Sequence, residues 1–352
     1  MRSYDVVDFG KPLRLMEKPT PKPRGTEVLL RTLAVGVCHS DLHIWEGWYD
    51  LGGGKRLMVK DRGFIPPLTL GHEITGEVAA LGPEATGVKA GDKLLVHPWI
   101  GCGACAVCRR GDEQLCAAPR FLGAHRPGGY ADHVLVPHPR YLLELGTLSP
   151  AQAAPYACSG LTAYGSLRRV GAEVFSEQPI MIVGGGGLGL MCLAILKALD
   201  GKGAIVADID ASKREAALKA GAVAAIDPSA KEAMRQAQHV AGGPLAAVID
   251  FVGSSETARL GIESLSRGGK YVIVGLFGGD INLSLPLLPM RAITVQGSYV
   301  GNLSEMKELL GLVAAGKVPP VPVSQRQLHE VNSVLKDLKS GHFIGRAVMT
   351  MK

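Results

Sequence analysis

The stretch Ile180-Met181-Ile182-Val183-Gly184-Gly185-Gly186-Gly187-Leu188-Gly189-Leu190-Met191 decides how this chain is read. Four apolar residues run into a cluster of glycines, and an apolar helix pattern follows from Leu188 to Leu199. Counting Gly184, Gly186 and Gly189, the cluster fits G-x-G-x-x-G at a strand-to-helix turn. Gly184 permits the tight turn, Gly186 lets the backbone approach a pyrophosphate, and Gly189 lets the helix pack close to the strand. With Gly187 and Leu188 they open a helix whose N-terminus favours phosphate charge. The cluster makes Gly184, Gly186, Gly187, Leu188 and Gly189 the expected contacts of a dinucleotide. Pro179 to Leu196 carries no charge and approaches the length of a membrane span. Its glycines suit a buried strand, turn and helix better.

Working outward, strands are expected at Ala204 to Ala207, Ala246 to Val252 and Tyr271 to Val274. Helices are expected at Ser212 to Ala220 and Glu256 to Leu265. This alternation marks parallel βαβ units, a doubly wound α/β sheet. Asp208 lies 19 residues past Gly189, at the end of the second strand. A carboxylate there accepts hydrogen bonds from the adenosine ribose and repels the phosphate of NADP, which favours NAD. The alternative is that Asp208 or Asp210 caps the next helix; Asp210 is the better cap candidate.

Before this region the texture differs. Short strands broken by Gly and Pro, such as Glu27 to Ala34, Ile74 to Leu81 and Lys93 to Pro98, indicate an irregular β-rich unit. After about Val300 come a helix at Leu303 to Ala314, a Pro-rich passage at Val318 to Val323 and a last strand at Ile344 to Thr350. The expected division is residues 1–159 as a β-rich domain, 160–300 as a nucleotide-binding domain, and 301–352 as a return to the first.

The 352 residues are 47% hydrophobic and 20% charged, which is ordinary for a globular protein. A formal charge of +6 spread along the chain does not argue for nucleic acid. The N-terminus lacks the apolar segment of a signal peptide, so a cytoplasmic protein that neither enters nor crosses a membrane is expected. Seven cysteines, an odd number, argue against a disulfide framework. Cys102, Cys105, Cys108 and Cys116 fall within fifteen residues. That spacing suits a tetrahedral structural zinc, with an iron–sulfur cluster as the competitor. Cys38, His72 and Cys158 are dispersed; two thiolates and an imidazole would leave a fourth position open, as a catalytic zinc requires. Taken singly, each is equally a buried small thiol or a core histidine.

Cys38-His39-Ser40-Asp41, Gly71-His72-Glu73-x-x-Gly76-x5-Gly82, Gly91-Asp92-Lys93, the four-cysteine lobe, the Cys158 segment and the glycine cluster occur in one order. Over nearly its whole length the chain resembles the zinc-containing medium-chain alcohol dehydrogenases, in particular their tetrameric microbial branch. The resemblance implies a GroES-like catalytic domain, a Rossmann domain and an active site in the cleft between them. It also implies NAD, two zinc ions per chain and an alcohol or aldehyde as substrate. It places Cys38, His72 and Cys158 on the catalytic zinc, with Asp41 bonded to His72 and Glu73 beside the metal. Ser40 and His43 match proton-relay positions, while His39 and Arg346 match contacts to the cofactor phosphates. A homotetramer is expected by the same analogy.

Three points stay open. The segment from Tyr49 to Pro67, with Gly52-Gly53-Gly54 and Lys55, Arg56, Lys60, Asp61 and Arg62, reads as a solvated surface loop or a substrate lid. Trp45, Trp48 and Trp99 lie near the cleft motifs and suit either an apolar substrate wall or the core. A polyol, a formaldehyde–thiol adduct or a CoA-linked ring alcohol competes with simple alcohols as substrate, the basic residues suiting an anionic handle. A catalytically silent scaffold is the reading from another class; an open metal site argues against it.

Overall fold

The computed structural model describes residues 1–351. Val28–Val37 is the central strand of a seven-stranded, largely antiparallel sheet, and Glu73–Leu81, His133–Val136 and Arg346–Thr350 all pair with it. Register decides what this sheet presents at one end. Gly36 stands opposite both Glu73 and Val348, so Cys38, His72 and Arg346 emerge side by side from three adjacent strands. Only glycine fits at position 36, because a Cβ there would lie 1.9 Å from the Glu73 Oε2 atom.

The chain leaves this sheet through the turn Ala154–Ala157 and the helix Ser159–Val170, which packs against the helix Gly187–Ala198. A second sheet of six parallel strands follows. Its order is Ala224–Ile226, Ala204–Ala207, Ile180–Val183, Leu245–Asp250, Leu265–Ile273, Thr294–Gly297. That order reverses beside Ile180–Val183, and ligands of doubly wound sheets bind at such a crevice. Ile180, Met181, Ile182 and Val183 are all buried, which explains their uninterrupted apolar run. At the end of Leu245–Asp250 the buried Asp250 carboxylate accepts from the Val252 and Gly253 N–H groups at 2.8 and 2.9 Å. It also accepts the Tyr271 hydroxyl at 2.6 Å.

The helix Leu303–Ala314 packs on Ser159–Val170 before the chain re-enters the first sheet as Val323–Gln327 and Arg346–Thr350. Three of these elements have no clear sequence signal. Val323–Gln327 and Thr294–Gly297 are half polar edge strands, and Ser159–Val170 is buried on nearly every side, so neither carries a clean period. Among the described residues, no helix is long and apolar enough to cross a membrane. The uncharged run from Pro179 is strand, turn and helix.

Gly189 lies where the helix Gly187–Ala198 passes closest to the turn, and a Cβ there would sit 1.9 Å from the Gly184 carbonyl oxygen. Gly189→Ala should therefore destabilise by roughly 1–3 kcal/mol through overpacking, read from a urea melt, and weaken NADH binding by fluorescence titration. Unchanged stability and affinity would show that the turn can yield.

Candidate functional site

Cys38 is the N-cap of the helix His39–Glu46, and Asp41 occupies the third helical position. The Asp41 carboxylate is fully buried and ties three chain segments together. Its Oδ2 accepts the Cys38 N–H at 3.0 Å and the Tyr130 hydroxyl at 3.1 Å. Its Oδ1 accepts the Gly71 N–H at 3.1 Å and faces His72 Nδ1 at 3.3 Å. With Nδ1 engaged, the other ring nitrogen of His72 carries the free lone pair. That Nε2 is buried and has no hydrogen-bond partner.

Cys158, between the turn Ala154–Ala157 and the helix it precedes, brings its sulfur to 3.9 Å from that of Cys38. The two sulfurs and a His72 nitrogen all lie within 4.8 Å of one another, and all three residues are buried. The geometry suits a cation: zinc–sulfur bonds of about 2.3 Å at a tetrahedral angle separate two sulfurs by about 3.8 Å. The electrostatics agree. The hydrogen bond from Cys158 holds Cys38 well below the ordinary thiol range, and that bond together with burial drives Cys158 well above it. One buried thiolate beside an orphaned imidazole nitrogen is a donor set lacking its acceptor.

Glu73 lies next to this cluster. Its Oε1 accepts the Arg346 guanidinium at 2.5 Å and the Ser159 N–H at 3.2 Å, while Oε2 is buried without a partner. Burial pushes its pKa up to about 7 against the pull of Arg346. Arg346 is itself buried, donates to the Val37 carbonyl at 3.2 Å, and passes so close to the glycine turn that a Cβ on Gly187 would meet it at 2.5 Å. His39 is exposed and Ser40 half-buried, both in the first turn of their helix. His43 lies 5.0 Å from the Tyr49 ring and is kept below the usual imidazole range by burial.

At the glycine turn, no side chain caps the helix Gly187–Ala198, so its first N–H groups have no intrahelical acceptor. A Cβ on Gly186 would meet nothing within 4 Å, leaving the space in front of the turn open. Asp208 accepts the Gly185 N–H at 2.7 Å and the Asp210 N–H at 2.8 Å. Asp210 caps the next helix, accepting from the Ser212 and Lys213 N–H groups at 2.8 and 3.4 Å. The Arg214 guanidinium donates to the Asp208 carbonyl at 2.8 Å, a neighbour that sequence spacing does not disclose.

The four-cysteine lobe places Cys102, Cys105, Cys108 and Cys116 within 4.8 Å of one another, with sulfur separations of 3.9, 3.4 and 3.8 Å along three edges. These also fit a tetrahedral zinc. Gly101 admits the lobe, since a Cβ there would meet the Cys108 sulfur at 2.4 Å. Cys192 is fully buried in its helix, away from both clusters.

Trp99 is buried, packs edge-on against His72 at 5.4 Å and donates to the Ala157 carbonyl at 2.9 Å, so it is at once site wall and core. Trp48 instead holds Arg56 at 3.9 Å over its ring and lines a recess of about 350 Å³ with Ser255, Gly279 and Asp280. Trp45 packs against the core and donates to the Lys11 carbonyl at 2.5 Å. Most of the segment from Tyr49 to Pro67 is exposed, as the solvated-loop reading expects, but one end of it is docked. Trp48–Asp50 and Arg56–Met58 form a hairpin that reaches the nucleotide-binding unit, where a Cβ on Gly52 would lie 2.7 Å from Asp280. The docking has no local sequence signal because the partner, Asp280, is over two hundred residues away.

Tyr130, Tyr299 and Phe121 belong to the site and were not singled out in the sequence. Tyr130 had a signal in Gly128-Gly129, since Cβ atoms there would strike Gly71, Ile74 and Val35.

Comparisons with known proteins agree with this geometry. The family described as "Alcohol dehydrogenase GroES-like domain" matches residues 24–147, and "Zinc-binding dehydrogenase" matches residues 187–315. An "NAD-dependent alcohol dehydrogenase" of Sulfurisphaera tokodaii is 40% identical over 350 residues, covering 99% of each chain. One of Saccharolobus solfataricus is 40% identical over 351 residues, again covering 99% of each. The solved alcohol dehydrogenase of Aeropyrum pernix superposes with a TM-score of 0.89 at 30% identity, covering 99% of this chain and 100% of that one.

Removing the Asp41 carboxylate would orphan two buried N–H donors and a hydroxyl. Asp41→Ala is expected to cost roughly 2–4 kcal/mol in a urea melt, and Tyr130→Phe about 1 kcal/mol. Equal, negligible losses would mean that Asp41 does not hold the three segments.

Proposed function

The chain belongs to the zinc-binding alcohol dehydrogenase family, and from that membership we propose how its residues divide the work. It is an NAD-dependent alcohol dehydrogenase, interconverting a primary or secondary alcohol with its aldehyde or ketone by hydride transfer. In our reading Cys38, His72 and Cys158 hold a catalytic zinc with one position left for substrate, and Cys102, Cys105, Cys108 and Cys116 hold a structural one. The observations that carry this are the buried, partnerless Nε2 of His72 and the placing of a His72 nitrogen and two sulfurs within 4.8 Å of one another. A zinc ion bound there supplies the positive charge that lets an alcohol lose its proton near neutral pH, and NAD supplies the hydride acceptor.

The protein's own groups do the rest. Asp41 orients His72 and raises its basicity as a ligand. Ser40 receives the alcohol proton and His43, kept neutral by burial, takes it onward to solvent. Glu73 is a buried carboxylate in reserve beside the metal ligands, held off by Arg346. The first N–H groups at Gly187, Leu188 and Gly189, with Gly184 and Gly186 shaping the turn, receive the cofactor pyrophosphate, joined by His39 and Arg346. Asp208 accepts the adenosine ribose. The domain division is residues 1–159 catalytic, 160–300 nucleotide-binding and 301–352 returning to the first.

We also assign the protein to the cytoplasm, where its seven thiols stay reduced. A homotetramer is supported by exposed Leu276, Phe277, Leu285 and Met290, near the edge strand Thr294–Gly297. Sedimentation of a monomer would refute the oligomer.

Cys38→Ser and His72→Ala should abolish NADH formation and reduce the zinc content from two equivalents to one, measured by atomic absorption. Wild-type turnover in either variant would overturn the ligand assignment. Asp208→Gly should weaken NAD and narrow the preference over NADP; a parent enzyme that already prefers NADP would remove the role given to Asp208.

A further inference from the structure

The Cys38–His72–Cys158 cluster is walled by aromatic rings. Trp99 packs on His72, Tyr299 packs on Trp99 at 6.1 Å and on Phe121 at 6.4 Å, and Tyr49 packs on His43. Burial pushes the Tyr49 phenol up to about 12, and both Arg62 and Cys38 act on it. Tyr299, 38% exposed, stands on the same wall beside Trp99 and Phe121. Tyr49, packed on His43 in the helix that Cys38 caps, carries a single cation on its outer side.

That cation is Arg62, at the end of the short helical turn that follows the hairpin. Its guanidinium carbon lies 5.6 Å from the Tyr49 ring centre and 5.6 Å from that of Phe64. It is exposed, and among the described residues no carboxylate pairs with it. The negative faces of two rings hold it in place without neutralising it, and a guanidinium keeps its charge at every working pH. The other arginine of this segment, Arg56, is turned away onto Trp48, in a recess it shares with Asp50 and Asp280.

We propose that Arg62 selects substrates that carry an oxyanion, a carboxylate or a phosphate monoester, a few bonds from the hydroxyl that is oxidised. The hydroxyl end lies against the cluster, the carbon chain runs between Tyr49, Tyr299 and Trp99, and the anionic end meets the guanidinium fork, which matches carboxylate and phosphate geometry. The hydride chemistry is unchanged, because the anion is a handle and does not react. This inference rests on the alcohol dehydrogenase reading and narrows its substrate class.

The test uses the zinc-loaded enzyme with NAD. Lactate, β-hydroxybutyrate and γ-hydroxybutyrate are compared with isopropanol and butanol, and glycerol phosphate with glycerol, which separates carboxylate from phosphate. At least one anionic substrate should exceed its neutral counterpart in kcat/KM on the order of tenfold to a hundredfold, mainly through KM, as a charge-assisted hydrogen bond allows. Arg62→Leu should erase that ratio and Arg62→Lys retain part of it. Independently of turnover, calorimetry should find butyrate binding the enzyme–NADH complex more tightly than butyramide, with the difference lost in Arg62→Leu. A ratio near one in the parent, or an undiminished ratio in Arg62→Leu, overturns the inference while neutral alcohols are still oxidised. If no alcohol of either kind yields NADH, the underlying reading falls with it.

Discussion

The Asp41 carboxylate is the interaction on which the rest of the site depends. A fully buried charge is tolerated only when its lone pairs are occupied, and here four donors from three segments occupy them. Because each donor is fixed to backbone or to a buried ring, satisfying Asp41 sets the separation between the start of the helix His39–Glu46 and the turn at Gly71. Cys38 and His72 inherit that separation. The glycines at 123, 128 and 129 then make sense as clearance: they let the Tyr130 segment press against the Gly71 backbone closely enough for its hydroxyl to reach the same carboxylate.

A second contact links the Cys38–His72–Cys158 cluster to the glycine turn. The strand Arg346–Thr350 returns to pair with Val28–Val37, which brings Arg346 beside Cys38. One guanidinium thereby touches Glu73, the Val37 carbonyl and the space above Gly187. The hairpin Trp48–Asp50 with Arg56–Met58 spans the same divide from the other side, resting on Gly278 and Asp280. The cleft is thus framed by two contacts between units distant in sequence, and the aromatic wall carrying Arg62 lies beyond the hairpin.

Much of this was legible in the residues. The strand Ile180–Val183, the helix that follows, and Ala204–Ala207 appear within a residue of where the apolar pattern puts them, because a buried parallel strand has only one composition available to it. The four-cysteine lobe was equally legible, since its ligands lie on one short loop whose spacing alone brings the sulfurs together. Asp210 was recognisable as a cap because a cap acts two or three residues along the chain. The edge strand Val323–Gln327, the helix Ser159–Val170 and the docked hairpin were not, for their faces are defined by partners that local periodicity does not encode.

What the sequence by itself determined is therefore the short-range structure: a glycine turn between strand and helix, an acid at the end of the next strand, a loop that clusters four cysteines, and the family to which their order points. The convergence of Cys38, His72 and Cys158 could be inferred from that family pattern, but the residues alone do not state it. Strand register and the buried Asp41 bring Cys38 and His72 together, and the turn Ala154–Ala157, packed on the strand Glu73–Leu81, brings Cys158 to them. Tertiary structure alone also brought Tyr130 to Asp41, Arg346 to Glu73, and Arg62 to the tyrosines. Spacing along a chain governs groups a few residues apart, whereas contacts across a hundred or more residues depend on which sheets and turns pack together.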